Sequence, residues 1–216
     1  MKKAELFLLI AVVICFIIGI YFYPQMPEQM ASHWNAQGNV DDYMSRFWGV
    51  FLMPFVFIGL ALLFIIIPRI DPLKKNIESF RKYYDGFIIL FFIFMLLVYM
   101  QTILWNLGTE ISPNVAFPIL MGFLFFYMGI LLENTKRNWF IGIKTPWTLS
   151  SENVWNKTHK LGSKMFKIAG IIAFVGFLFL FFLLLFILLY ILMLNTRKRR
   201  NRLKFSYLFS FLKQIS

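Results

Sequence analysis

Five long stretches of this chain hold no Asp, Glu, Lys, Arg or His, and that pattern limits what it can fold into. They run over 6–23, 47–67, 86–107, 115–132 and 168–194. A run of about 18 or more such residues crosses a hydrocarbon layer about 30 Å thick when wound at 1.5 Å per residue. Lipid offers the backbone no hydrogen-bond partners, so each stretch is predicted to be helical. The short alternating strands of an outer-membrane barrel are missing from the sequence. The expected fold class is therefore all-α: a polytopic integral membrane protein with about five transmembrane helices and a short interfacial helix in the fourth loop. Lys2 and Lys3 ahead of the first run imitate a secretion signal, but an 18-residue run without a small-x-small cleavage site reads as a retained span. The lone Cys15 lies inside it, so no intrachain disulfide forms.

Basic residues set the expected orientation. The segment 24–46 holds only Arg46, and 108–114 holds none. Segment 68–85 holds five (Arg69, Lys74, Lys75, Arg81, Lys82), and 133–167 holds seven. Short loops rich in Lys and Arg stay cytoplasmic. The N-terminus and the second and fourth loops are then expected inside, and the first and third outside, in a multi-pass protein of the cell membrane. Tyr21, Tyr23, Trp48 and Trp105 fall at the expected outer boundary, which suits amphipathic rings. The last apolar stretch is 27 residues long, which suits one tilted crossing best, with a stretch that folds back on itself as the alternative that would keep the tail inside. One crossing places the basic tail 195–216 outside, against the rule that orders the rest. The organisation expected is a two-span unit at 1–67, a two-span hairpin at 68–132, a loop plus final span at 133–194, and the amphipathic tail. The net charge of +12 follows from this sorting and from anionic headgroups, without nucleic acid as a partner.

Two loops hold the only histidines. In the first, Asn35 and Gly38 suit a turn, and His33, Asp41, Asp42 and Glu28 match no trusted metal spacing. In the fourth, Gly142 and Pro146 mark an irregular path. Ser150 is the expected N-cap of a short helix with Glu152 in its first turn, ending near Gly162. Glu152, Trp155, Asn156 and His159 would share one face of it, and Val154, Thr158 and Leu161 another. One reading makes this an interfacial helix that lays Trp and Val into the bilayer surface. The other makes it a recognition site for a partner, with His159 bonded to Glu152 or to a loop carbonyl.

The stretch from Gly142 through Lys144, Thr145, Pro146, Trp147, Glu152, Trp155 and Thr158 to His159 resembles the signature of the SdpI family of membrane immunity proteins. The His33-Trp34-Asn35 segment, with Gly38, Asp41 and Ser45-Arg46, resembles the uncharacterised membrane domain that often precedes that signature. The resemblance implies protection against a secreted peptide toxin and signalling to a cytoplasmic repressor protein. The binding residues expected on that basis are Gly142, Lys144, Thr145, Pro146, Trp147, Glu152, Trp155, Thr158, His159, Gly162, His33, Asn35, Gly38 and Asp41. The competing function is a small-solute or peptide transporter. Transporters carry ionisable residues within spans, whereas these spans offer only a Gln101, Thr102 and Asn106 cluster with Pro54 and Pro118. An enzyme is not expected, since Cys15 has no His or carboxylate in a neighbouring span to serve as its base, and no cofactor or metal is expected.

Overall fold

A computed structural model describes residues 3–176 together with 178, 182 and 186. The chain divides into two units, 1–174 and 175–216. In the second, the described residues 175, 176, 178, 182 and 186 are helical. Whether 168–194 crosses once, and where the tail 195–216 lies, fall outside the described residues.

The first unit is a helix bundle. Helix α1 (Lys3–Phe22) is followed by a 3-10 turn (Tyr23–Gln25), strands β1 (Gln29–Trp34) and β2 (Val40–Ser45), and helix α2 (Arg46–Ile70). Then come α3 (Lys74–Ser79), α4 (Arg81–Asn106), α5 (Pro113–Asn134) and the short α6 (Pro146–Ser150). A last helix, α7, occupies 152–176. Among the described residues, four helical segments are long and apolar enough to cross a membrane: Lys3–Gln25, Arg46–Ile70, Arg81–Asn106 and Phe117–Asn134. The all-α polytopic fold is thus observed, with one small addition.

That addition is the hairpin. β1 and β2 pair antiparallel, with irregular register on either side of His33. The segment was expected to be only a turn. Its tip is indeed one: Gly38 takes φ 83°, a conformation that only glycine adopts without strain. Asn35 Oδ1 accepts from the amides of Gln37 and Asn39, both at 3.0 Å.

The helices run past their apolar cores. α4 begins at Arg81, five residues before the uncharged stretch, where Arg81 donates to Asp85 at 2.5 Å one turn on. Charged first turns of this kind lie in the headgroup layer, where helix hydrogen bonding continues although hydropathy has ended. The core is aromatic: Phe57 and Phe92 meet edge to face at 4.9 Å. Tyr99 donates its hydroxyl to the carbonyl of Val50 at 3.0 Å, and Tyr84 to that of Phe64. These bonds spend the phenol groups inside the bundle, where an unpaired hydroxyl is costly. α5 and α7 approach through glycines. A Cβ on Gly170 would lie 2.6 Å from the Gly122 carbonyl oxygen, and one on Gly129 2.7 Å from that of Ser163. Small residues at helix crossings let backbones meet in this way.

Alternation of the helices gives the bundle two ends. One carries the hairpin and the α4–α5 connection; the other carries α3, α6 and the start of α7.

Candidate functional site

The α6 end is built around segment 134–162, which runs from the end of α5 through α6 into the first turns of α7. Its path is set by buried polar groups rather than by apolar packing. Asn138 is fully buried, and its Oδ1 accepts from the amides of Phe140 (2.9 Å) and Ile141 (2.6 Å). Its Nδ2 donates to the carbonyls of Lys136 and Ile141. One side chain thereby closes the turn that lifts the chain off α5. Asp71, also buried, accepts from Leu73 N at 2.6 Å and from Trp139 N at 2.9 Å. Asn76 of α3 donates to Arg137 O at 2.7 Å. The second and fourth loops are in this way tied into one polar layer.

α6 follows from its own sequence. Thr145 accepts from Thr148 N at 3.2 Å while its amide donates to Thr148 Oγ1 at 2.8 Å, a reciprocal cap, and Pro146 sits at the first helical position. Lys144 donates to Phe140 O at 2.9 Å. Trp147 then stands out of the loop, 72 % exposed.

Trp155 and His159 hold the other side. Trp155 is fully buried, and its Nε1 donates to Thr135 O at 3.0 Å. The imidazole of His159 stacks on the indole, with centroids 3.9 Å apart and planes 17° from parallel. His159 Nε2 takes the amide proton of Ile143 at 2.9 Å, and Nδ1 lies 2.9 Å from Trp155 O. A nitrogen that accepts from an amide carries no proton, and one facing a carbonyl must carry one. The ring is therefore neutral, in the Nδ1–H form. Burial pushes its pKa below the ordinary histidine value, and the bond to the Trp155 carbonyl offsets part of that.

Gly142 passes beside this pair at φ 117°, and a Cβ there would collide with His159 Nε2. Gly162 lies beneath Ile143, where a Cβ would meet Ile143 Cδ1 at 2.5 Å. A half-open cavity of about 340 Å³, lined by Phe64, Tyr84, Met128, Phe140, Gly142 and Phe166, sits under the loop.

Several expectations are corrected here. The cap of the second helix is Ser151, whose Oγ accepts from Val154 N at 3.4 Å; Ser150 Oγ instead donates to Pro146 O. The helix does not stop near Gly162 but continues to 176, because that glycine serves a close approach and not a terminus. Glu152 is exposed, and His159 bonds a loop amide and a carbonyl of its own helix rather than Glu152. Trp155 does not lie in the bilayer surface; it faces Thr135 inside the protein.

Of the residues singled out, Gly142, Thr145, Trp155, His159 and Gly162 come together as the scaffold of the loop. Lys144, Pro146, Trp147 and Glu152 are exposed, and Thr158 is half-buried. Sequence reasoning missed Asn138, Asp71 and Thr148. Asp71 alone had a local signal, an Asp directly before Pro72.

The neutral ring gives a pH prediction. The unfolded chain takes up a proton on His159 at about pH 6.5, while the folded chain resists it. The folded state should lose stability as pH falls from about 6.5 toward the lowered folded pKa, and gain nothing further above about 6.5. The midpoint of thermal unfolding in detergent, followed between pH 7.5 and 5, should drop. His159→Gln should flatten that slope, and an unchanged slope would contradict the assignment.

At the hairpin end, His33 Nδ1 and Asp41 Oδ1 pair at 2.5 Å on the surface. Asn35 and Gly38 shape the tip, and Asn114 Nδ2 donates to Ala36 O at 2.9 Å. Asn106 clips β1 with two bonds, accepting from Ala31 N at 2.8 Å and donating to Ala31 O at 3.1 Å. Gln101 donates to Ile111 O at 2.9 Å, and Thr102 to Val98 O. Asn106 and Gln101 of α4 thus seat the hairpin and the neighbouring connection, while Thr102 bonds within its own helix. Among the described residues no group of His, Cys, Asp and Glu could hold a metal ion.

The fold and these loops define a polytopic membrane protein with a structured loop at one end and a small hairpin at the other. Its segments match two described families: residues 134–195 match the SdpI/YfhL protein family, and residues 10–58 match a domain of unknown function, DUF1648. The chain is 26% identical over 170 residues to the protein named Immunity protein SdpI of Bacillus subtilis (strain 168), which covers 79% of each chain. The likeness read from the two loops is therefore found in both segments and in the expected order. No solved structure matches it significantly.

Proposed function

We propose that this chain is a membrane immunity protein that protects its cell against a secreted peptide toxin, and that it works by binding rather than by catalysis. The likeness to a protein of that name over most of both chains supports the first part. The observation that carries the second is the locked loop: Trp155, His159 and Asn138 are spent inside it, and Trp147 is left presented on a rigid support. A preordered surface with an exposed Trp loses little entropy on binding, and Trp is a favoured binding anchor. Lys136, Lys144, Lys157 and Lys160, all exposed in the same segment of the chain, suit an acidic partner. A cytoplasmic repressor protein, which the loop would hold or release when toxin is present, fits that surface.

This reading needs the α6 end in the cytoplasm and the hairpin outside. The count of five and seven basic residues against one and none supports that orientation. With Cys15→Ala as background, a cysteine placed at Ser32 should react with an impermeant thiol reagent on intact cells, and one at Ser151 should react only after lysis. The reverse pattern would overturn the orientation. Protection itself is read as survival of toxin-exposed cells that express the chain, against cells carrying an empty vector.

A further inference from the structure

A second cavity lies at the other end of the bundle. It is a groove of about 200 Å³ beneath the hairpin, walled by Met44, Met53, Met95, Trp48, Leu52 and Val56. Trp48, Leu52 and Val56 are exposed at 52 %, 44 % and 37 %, so the groove opens sideways from the bundle. Of the polar side chains that also line it, Tyr99 and Thr102 are already bonded, to Val50 O and Val98 O, and Ser32 adds one hydroxyl to a wall that is otherwise apolar. What enters is mainly apolar. Three methionines in its wall can adjust to more than one shape.

The surface above the groove has the opposite character. Among the described residues, Glu28, Asp41, Asp42 and Glu110 are exposed at this end, against one Lys or Arg, Arg46, and the imidazole of His33, which pairs with Asp41. Arg46 is half-buried, with Nε donating to Pro27 O at 3.4 Å and its guanidinium 5.8 Å from the Tyr23 ring. An acidic rim over an apolar groove repels anionic lipid phosphates. It attracts a chain that carries cations on one face and a large apolar side chain on the other.

We propose that this groove is the docking site for a cationic amphipathic peptide, which seats one apolar side chain among the methionines and pairs its cations with Glu28, Asp41 and Asp42. The inference rests on the protective reading above, and names the chemical class of toxin that the chain would meet from the hairpin side. Peptides without cationic charge would be poor partners, because the rim gives them nothing to pair with.

The test uses the full chain in phosphatidylcholine nanodiscs. The probe is a dye-labelled synthetic amphipathic helix of Leu and Lys with one Phe, and its counterpart has Glu in place of Lys. The Lys probe should bind saturably, and more weakly as salt rises. Glu28→Gln, Asp41→Asn and Asp42→Asn together should weaken it about tenfold, as the loss of three rim pairs would. The amides keep the acceptor oxygens that His33 and the Tyr43 amide use, so the hairpin remains folded. Val56→Trp, which fills the groove from a helix wall, should weaken binding by a similar factor without altering the rim.

Equal binding of the Glu probe overturns the proposal, and so does indifference to both sets of substitutions. If Val56→Trp leaves probe binding alone but expels co-purified phospholipid, the groove is a lipid seat and the proposal falls. Survival separates the two readings. If the parent protects cells and the combined rim and groove variant protects equally, the docking site is wrong and the protective reading stands. If the parent binds the probe and does not protect, the protective reading fails and the assigned occupant stands.

Discussion

Trp155→Ala should cost the α6 end its structure. The indole is fully buried, and truncating such a side chain removes its packing and leaves a cavity, at about 3–5 kcal/mol. It also leaves Thr135 O without its donor and His159 without the ring it stacks on. The loss of a hydrogen bond to a buried carbonyl adds about 1 kcal/mol. The bonds and ring contacts that join α2 to α4, such as Tyr99 to Val50 O and Phe57 on Phe92, do not involve this indole, and those helices should stay folded. The expected result is local: trypsin should cut purified protein in detergent faster at Lys136, Lys144 and Lys157, and the unfolding midpoint should fall. Protease resistance equal to the parent would show that the loop is not held as described.

Trp147→Ala should do the opposite. This ring is mostly exposed and fixes nothing around it, so its removal should change stability by no more than about 0.5 kcal/mol. Membrane amounts and protease resistance should match the parent, and protection should be lost. The pair of substitutions separates what the loop needs to exist from what it needs to act. Both tryptophans were equal candidates by sequence; only burial distinguishes them.

The spans were the most legible part, and the reason is physical. An uncharged stretch of span length has one acceptable structure in lipid, so 6–23, 47–67, 86–107 and 115–132 each correspond to an observed helix. Their ends were less legible. Hydropathy marks the edge of the hydrocarbon, while helical bonding in α2, α4 and α5 continues into the headgroup layer. The hairpin was invisible beyond its Asn35–Gly38 tip, because strand pairing over six residues leaves little periodicity, and the Asn106 clip comes from residues 75 positions away. The fourth loop was recognisable as unusual from its tryptophans, glycine and histidine. Its wiring was not: Asn138 and Asp71 act through backbone groups brought near by the fold, and no local pattern announces a buried amide. Gly162 misled most directly, since a helix stop and a close approach select the same residue type.

The claim at the centre of this account is that the loop at 134–162 is the working surface and that it works by contact. Survival of toxin-exposed cells, measured for the parent and for Trp147→Ala at equal amounts in the membrane, tests it most directly. The account predicts that the parent protects and that Trp147→Ala does not, although the variant is as abundant and as protease-resistant. Full protection by Trp147→Ala would contradict it and would leave the loop as a structural connector.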